Sequence, residues 1–203
     1  LGWDFRNVGF SVGNLSIDKK RIDAIISNFP NSIICVDMAH GASINMVNTV
    51  KYIRGKKTFR GPLILGNFAT SESIARLEEY IFDDDLYMWD TYFKIGIGPG
   101  SVCSTRVKTG VGFPQLQAIM DCAKVFPGRV IADGGMKPVG DVSKSLAAGA
   151  IMVMTGSLLA GTDCTPGWKP ELEMIEYRGM ASKEAQESFK GKFANAEGVK
   201  TYV

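Results

Sequence analysis

Six short apolar segments recur along the chain, and each is followed by a stretch in which apolar residues return every three or four positions. The segments are apolar at consecutive rather than alternate positions, as expected for strands that are covered on both faces. Their starts lie about 20 to 40 residues apart, the length of a strand with its crossover helix. The pattern predicts an α/β protein with a parallel sheet. The predicted strands are Val8–Val12, Ile33–Met38, Leu63–Gly66, Tyr92–Ile97, Arg129–Ala132 and Ile151–Met154.

The segments between the strands carry the periodicity of amphipathic helices. Ser43 stands where a helix N-cap is needed. After Ala160 the pattern changes to two strand-like patches, Met174–Tyr177 and Val199–Val203, around the polar segment Ala181–Lys192. We expect one domain over 1–203, with 161–203 as its flap-like and C-terminal segment. The predicted helices are Arg21–Ile26, Ile44–Ile53, Ile74–Tyr80, Leu116–Val125 and Val142–Ala147.

Two architectures fit a parallel sheet covered by helices, a doubly wound sheet and a (β/α)₈ barrel. Glycine or polar residues follow the predicted strands, for example Gly13, Asn67 and Asp133. This favours the barrel, whose active site collects residues from the carboxyl ends of all its strands. An eight-unit barrel takes roughly 250 residues, whereas this chain has 203. We therefore expect an α/β fold of the (β/α)₈ TIM barrel type that lacks its first two βα units.

The charge and cysteine content narrow the class of partner. The formal net charge is +2, from 23 basic and 21 acidic residues spread along the chain, so no nucleic-acid partner is expected. No apolar run approaches the roughly 20 residues that span a bilayer, so no membrane partner is expected. Four cysteines without a C-x-x-C spacing and a single histidine argue against a zinc site. We expect reduced thiols, a cytoplasmic location and a small-molecule ligand.

A glycine-rich turn that presents one cysteine follows the fourth predicted strand. Gly96, Gly98 and Gly100 let the backbone adopt positive φ and approach a ligand closely. Cys103 is a candidate nucleophile, and Thr105 places a hydroxyl two residues past its sulfur. The alternative interpretation is an ordinary turn with a small buried thiol.

Six blocks of the sequence carry a family resemblance: Gly96–Arg106, Thr109–Gln115, Ile131–Gly135, Gly140–Val142, Met154–Gly161 and Tyr177–Met180. In order and spacing, residues 31–183 closely resemble the inosine-monophosphate dehydrogenase and guanosine-monophosphate reductase family of (β/α)₈ enzymes. Lys108–Leu116 and Val36–Gly41 are more similar to the reductases than to the dehydrogenases. The resemblance implies a homotetramer of purine metabolism that converts GMP to IMP and ammonia with NADPH.

The resemblance also implies roles for the cysteine loop. Cys103 would attack the purine carbon that bears the amino group, ammonia would leave, and hydride transfer followed by expulsion of the thiol would release IMP. Backbone carbonyls at Gly98, Gly100 and Cys103 would hold a monovalent cation, which we expect to be potassium. Ser104–Gly112 is expected to close over the base.

Two strand ends are expected to bind the nucleotide. Barrels of this kind commonly build a phosphate site after their last two strands, and Asp133 can accept two hydrogen bonds from a ribose diol. The alternative is that these residues form turns, with Asp133 as a helix cap. By resemblance, the substrate-binding residues are Ser101, Asp133, Gly134, Gly135, Gly156, Ser157, Tyr177, Gly179, Met180 and Ala181.

The coenzyme side is expected at two earlier strand ends. The resemblance places Asp37, Ala39, His40 and Asn67 against the nicotinamide, where Asp37 and Asn67 can hydrogen-bond a carboxamide. His40 is the only histidine, and a simple loop hydrogen bond is an equal alternative to a catalytic role.

One position departs from the family pattern. The family pairs the threonine matching Thr105 with a glutamate that handles protons, and the register here places Cys164 at that position. Asp163 lies one residue earlier and is the candidate replacement. We expect weakened turnover, because a misplacement of about 1 Å costs on the order of a hundredfold in rate. The alternatives are an IMP dehydrogenase and a nucleotide-binding homologue that has lost its chemistry.

Overall fold

The main feature of the protein is a parallel sheet of six strands that hydrogen-bond in chain order. The computed structural model describes residues 8–81, 90–165, 168–169, 173–190 and 198–202. The strands are β1 Gly9–Val12, β2 Ile33–Asp37, β3 Leu63–Phe68, β4 Thr91–Ile95, β5 Val130–Asp133 and β6 Met152–Met154. All six predicted strands are confirmed, with bounds that differ by one or two residues.

Helices connect successive strands, as the periodicity predicted. The helices are α1 Leu15–Asn28, α2 Ile44–Arg54, α3 Ser71–Ile81, α4 Thr105–Thr109, α5 Gln115–Val125, α6 Val139–Ala147 and α7 Lys183–Lys190. The predicted cap is confirmed, because the Ser43 hydroxyl accepts the N–H of Met46 at 3.3 Å at the start of α2. The sequence did not predict α4, and α7 lies within the polar segment Ala181–Lys192.

The strand order decides between the two architectures. A doubly wound sheet reverses its strand order at a switch point, whereas here each strand pairs with its neighbour in the chain. This order is that of a barrel wall. Within the described residues β1 and β6 stand at opposite ends of the sheet, so the wall is an open half-barrel. That two further units belong to the fold stays a prediction.

The core lies between the sheet and its helices. Phe93 at the centre of β4 is fully buried, and its ring packs edge-on against Phe68 and Phe126 with centroid distances of 5.8 and 5.3 Å. The buried face of α1 carries Ile22, Ile25 and Ile26, the spacing of one helix face.

The tail forms a small antiparallel sheet of its own. Its strands are β7 Trp168–Lys169, β8 Met174–Arg178 and β9 Lys200–Tyr202. The strand-like patches predicted after Ala160 are thus β8 and β9. The N–H of Val199 donates to the carbonyl of Val102 at 2.8 Å, which attaches this sheet to the cysteine loop. The acidic run Asp83–Asp85 lies outside the described residues.

None of the helices in the described part of the chain combines the length and the apolar content that a membrane crossing requires.

Replacing Phe93 tests the central packing. Phe93→Ala should lower the free energy of unfolding by about 3–5 kcal/mol, because the lost ring leaves a cavity between two other rings. Ile17→Ala is the matched control, since Ile17 is 74% exposed on α1, and it should change the free energy by less than about 0.5 kcal/mol. Urea denaturation followed by circular dichroism measures both. Equal effects of the two substitutions would contradict the assignment of Phe93 to the core.

Candidate active site

The cysteine loop begins where β4 ends. Gly98 has φ +67°, and a Cβ there would lie 3.0 Å from the Arg106 side chain, so the turn requires glycine. The Cys103 thiol donates to the Thr105 hydroxyl at 3.1 Å. Cys103 is half-buried. The structure therefore brings together the predicted nucleophile and its hydroxyl partner.

The Arg106 side chain stabilises this loop by hydrogen bonds to two backbone carbonyls. Its Nε donates to the carbonyl of Ile97 at 3.0 Å, and its guanidinium also donates to the carbonyl of Phe113. The segment predicted to close over the base starts with helix α4, which ends at Gly110 in the left-handed conformation, φ +70°.

The tail holds the cysteine loop from the other side. Cys103 forms an antiparallel bridge with Gly198. Within the loop, the N–H of Cys103 donates to the carbonyl of Gly100 at 3.1 Å. A Cβ on Gly198 would lie 3.4 Å from the carbonyl oxygen of Val102 and 2.9 Å from the Ser182 nitrogen. The position of the thiol thus depends on residues nearly one hundred positions later in the chain.

A small, partly open cleft lies beside the loop. It is formed by the cysteine loop, by the residues that follow β5 and β6, and by one side chain of β8. It contains six of the predicted substrate-binding residues. The lining is Gly100, Ser101, Gly134, Gly135, Met136, Lys137, Thr155, Gly156, Ser157 and Tyr177.

The glycines of this cleft leave room that side chains would fill. Gly134 and Gly135 have φ near +80°, and a Cβ on either would lie 3.2 Å from Pro99. A Cβ on Gly156 would lie 2.7 Å from the Tyr177 hydroxyl oxygen. The backbone therefore forms the walls of the cleft, as in sites where N–H groups surround an anion.

Several polar side chains complete the cleft. Burial raises the pKa of Tyr177, and a hydrogen bond to Ser101 opposes that shift. The Ser157 hydroxyl donates to the carbonyl of Met136 at 3.2 Å. The Thr155 hydroxyl oxygen is buried and has no hydrogen-bond partner among the described residues. Lys137 adds an exposed ammonium at the rim. This is a suitable environment for a phosphate group.

A charged cluster lies at the carboxyl ends of β2 to β5. The buried Lys94 ammonium donates to an Asp37 carboxylate oxygen at 3.0 Å, to an Asp133 carboxylate oxygen at 2.6 Å and to the amide oxygen of Asn67. The Asn67 amide nitrogen donates to the same Asp133 oxygen at 2.8 Å and to the carbonyl of Gly96 at 2.6 Å. Three predicted site residues are thus joined by a lysine.

Two groups of this cluster have shifted pKa values. Burial disfavours the charged form of Lys94, but the Asp133 and Asp37 carboxylates outweigh it and hold the pKa of Lys94 above its ordinary value. Burial raises the pKa of Cys35, on β2, to about 11. Lys94 is therefore an ammonium and Cys35 a neutral thiol at neutral pH.

Other predicted site residues lie at the margin of this arrangement. Ala39 and His40 are exposed in the loop after β2, and Met180 and Ala181 are exposed after β8. Gly179 approaches the cysteine loop, since a Cβ there would lie 3.2 Å from Val102. The residues described contain no cluster of His, Cys, Asp or Glu that would hold a metal ion.

The predicted acid lies apart from the cleft. Asp163 and Cys164 are both exposed, and neither lines the cleft within the described part of the chain. Their turn is closed by the hydroxyls of Thr162 and Thr165, which donate to the carbonyl of Leu159 at 2.9 and 2.8 Å.

Three residues escaped the sequence interpretation: Lys94, Lys137 and Thr155. Lys94 carried a signal, because a lysine in the middle of an otherwise apolar buried strand requires a partner. Lys137 and Thr155 carried none, since a lysine and a threonine next to glycine turns are ordinary surface residues.

Proteins that are similar to this chain belong to one family. The domain described as IMP dehydrogenase / GMP reductase domain matches residues 5–203. An inosine-5'-monophosphate dehydrogenase from Cryptosporidium parvum is 39% identical over 91% of this chain and 44% of its own length. A GMP reductase from Phytophthora infestans is also 39% identical, over 91% of this chain and 50% of its own length.

A solved structure is similar over nearly the whole chain. It is a cysteine-to-alanine variant of GMP reductase from Trypanosoma brucei in complex with guanosine 5'-monophosphate, with a TM-score of 0.82 and 35% identity. The alignment covers 96% of this chain and 41% of that one. The chain thus spans half or less of the length of these three proteins, and overall identity does not separate the two activities.

Thiol labelling tests the environments of the four cysteines. In the native protein at pH 8, iodoacetamide should modify exposed Cys164 and half-buried Cys103 and spare Cys35 and Cys122. Burial raises the pKa of the latter two to about 11 and about 12, so at pH 8 they are thiols rather than reactive thiolates. Mass spectrometry identifies the labelled sites, and labelling in urea, where all four should react, is the control. Native labelling of Cys35 at the rate of Cys164 would contradict the structure.

Proposed function

The chain belongs to the IMP dehydrogenase / GMP reductase family, and from this membership we propose that it serves the NADPH-dependent reductive deamination of GMP to IMP and ammonia. The observation that carries the proposal is the continuity of one loop. Gly100 and Ser101 line the polar cleft, and the thiol of Cys103 follows two residues later. A nucleotide whose phosphate occupies the cleft therefore has its base within reach of the same loop.

The proposed phosphate ligands are the backbone and side chains of the cleft. Gly135, Gly156 and Ser157 would provide backbone N–H groups, and Ser101 and Tyr177 would provide hydroxyls. Gly134 would leave room for the phosphate, since its own N–H donates to the carbonyl of Met154 at 3.1 Å. The buried Thr155 hydroxyl and the Lys137 ammonium add a donor and a cation. The positive charge favours a phosphomonoester over a neutral nucleoside.

Asp133 is the proposed ligand of the ribose. One of its carboxylate oxygens is bound by Lys94 and Asn67, and its side chain remains 21% exposed. A carboxylate accepts hydrogen bonds at both oxygens, so the other oxygen can receive the ribose hydroxyls. Gly179, Met180 and Ala181 are proposed to contact the nucleotide from the tail.

Cys103 is the proposed nucleophile. Its sulfur, as thiolate, forms a bond to C2 of the purine. The amino group on C2 takes up a proton from solvent, and the C2–N bond then breaks with release of ammonia. NADPH, when bound, would supply the hydride that C2 takes up and would leave as NADP⁺. The C–S bond breaks, and IMP and the thiolate are regenerated. Thr105 holds the thiol by the hydrogen bond at 3.1 Å.

The coenzyme side fits the exposed end of β2. The Asp37 side chain is 48% exposed, and Ala39 and His40 follow it in an open loop. The Asn67 amide is hydrogen-bonded to Lys94, Asp133 and Gly96. We therefore propose that Asn67 holds these neighbours in place, and that Asp37 hydrogen-bonds the carboxamide of the coenzyme.

The cysteine loop also suits a monovalent cation. Backbone carbonyl oxygens are the ligands that potassium prefers, and the positive φ of Gly98 turns the chain at the proposed ligands Gly98, Gly100 and Cys103. The cation would order the loop that carries the thiol. By family membership we also propose a homotetramer, which sedimentation of the purified protein tests, and a cytoplasmic location.

A second candidate function follows from the exposed turn of Asp163. The register places Cys164 where the family has its glutamate, and Asp163, one residue earlier, is exposed. Proton transfer to the departing amine would therefore be impaired. We propose weakened turnover, and a protein that binds the nucleotide without turning it over is the second candidate.

An absorbance assay separates these functions. Protein incubated with GMP and NADPH should oxidise the coenzyme slowly, seen as a fall at about 340 nm, and Cys103→Ala should reduce the rate by at least about a thousandfold, because the covalent step is lost. Cys164→Ala is the matched control and should retain the wild-type rate. Reduction of NAD with IMP would instead indicate a dehydrogenase. Nucleotide binding without either reaction would leave the second candidate.

Filling the cleft tests the nucleotide site. Gly156→Ala should weaken GMP binding by about tenfold, or 1.4 kcal/mol, because the new methyl group would lie 2.7 Å from the Tyr177 hydroxyl. Gly140→Ala on α6 is the control, since no atom lies within 4 Å of its added Cβ. Isothermal titration calorimetry measures both. Unchanged GMP affinity of Gly156→Ala would place the nucleotide elsewhere.

A further inference from the structure

Lys94 lies where two halves of the site meet. The register places Asp37 opposite Gly66 on β3, and Gly66 opposite Lys94 on β4. The Lys94 amine reaches back across β3 to Asp37 and forward to Asp133 on β5. Asp37 belongs to the proposed coenzyme side, and Asp133 to the proposed ribose site. One ammonium therefore joins carboxylates of both halves.

We propose that Lys94 is a positioning residue that orients the side chains of Asp133 and Asp37, so that one buried cation aligns both the nucleotide-binding and the coenzyme-binding carboxylate. This inference rests on the proposed function, because it assigns Asp133 to the ribose. Lys94 acts through these carboxylates and does not itself touch the substrates.

Strand β3, which lies between Asp37 and Lys94, has a glycine where the lysine side chain crosses it. A Cβ on Gly66 would lie 2.6 Å from the Cβ and 2.9 Å from the carbonyl oxygen of Lys94. Because no side chain fits at position 66, the Lys94 side chain can pass over β3 to reach Asp37. The β3–β4 register shifts directly after it, between Gly66 and Phe68, where Asn67 turns its amide toward Lys94 and Asp133.

The charge balance supports positioning rather than proton transfer. Lys94 is only 3% exposed, and a buried ammonium is costly unless it is paired. The groups facing its amine are Asp37, Asp133, Asn67 and, on the same face of β2, Cys35. Two carboxylates surround one cation, and the raised pKa of Lys94 keeps it protonated, so it cannot serve as a neutral nucleophile or base.

The carboxylates that bind the lysine are accessible, whereas the lysine itself is not. The side chains of Asp37 and Asp133 are 48% and 21% exposed, whereas that of Lys94 is 4% exposed. A ligand can therefore reach the two carboxylates but not the buried ammonium, as expected if Lys94 acts through them.

Substitution of Lys94 tests the inference in the full chain. Lys94→Met should weaken GMP binding by about tenfold or more, because Asp133 loses its cation and its fixed orientation. The rate of Cys103 alkylation by iodoacetamide should stay within about twofold of wild type, since the thiol is held by a different set of contacts. Lys94→Arg should recover part of the affinity. Lys51→Met, an exposed lysine on α2, is the matched control and should bind normally.

A double variant keeps the test valid if Lys94→Met does not fold. Lys94→Met combined with Asp133→Asn removes the uncompensated buried charge and leaves Asp37 partly hydrated. If Lys94 acts through Asp133, the double variant should bind GMP within about threefold of Asp133→Asn alone. A further tenfold loss in the double variant would overturn the inference.

The outcomes distinguish this inference from the proposed function. Wild-type protein that does not bind GMP in calorimetry would overturn both. Wild-type protein that binds GMP, with Lys94→Met binding equally well, would overturn the role of Lys94 alone. A parallel loss of GMP affinity and of native Cys103 reactivity would also overturn it, because that result indicates general disruption of the site.

Discussion

The pairing of one buried ammonium with two carboxylates constrains how strands β2 to β5 align at their carboxyl ends. Lys94 can be buried only because Asp37 and Asp133 neutralise it, and these carboxylates stand on strands to either side of its own. The pairing therefore requires β2 to β5 to keep their register. It also requires glycine at position 66, where a side chain would strike the lysine. Sheet geometry and site chemistry are thus satisfied by the same contacts.

A second constraint comes from the tail. The cysteine loop is rich in glycine, and such a backbone has many accessible conformations. Here it is held by hydrogen bonds of Arg106 within the loop and by the bridge from Cys103 to Gly198. Tyr177 of the same tail faces Ser101 across the cleft. Cys103 and the polar cleft are consequently positioned by one set of contacts between the parallel sheet and the small antiparallel sheet.

Much of the fold was accessible from the sequence because its signals are local. Consecutive apolar residues identified all six strands of the parallel sheet, and the three- and four-residue spacing identified the crossover helices. The glycine turns and Cys103 were visible for the same reason. The short helix α4 was missed, because it is a single turn between glycine-rich segments and carries no apolar stripe.

By itself the sequence determined the strand–helix alternation, the cysteine loop and the membership in a family, since each is a property of neighbouring residues or of motif order. Only the tertiary structure decided that the strands pair in chain order and that Lys94 joins Asp37, Asn67 and Asp133, which lie 57, 27 and 39 positions from it. It also placed Thr155 and Lys137 in the cleft and Asp163 outside its lining in the described residues. The reason is physical: hydrogen bonds and ion pairs act over a few ångströms, and which distant residues come that close depends on strand register and loop path.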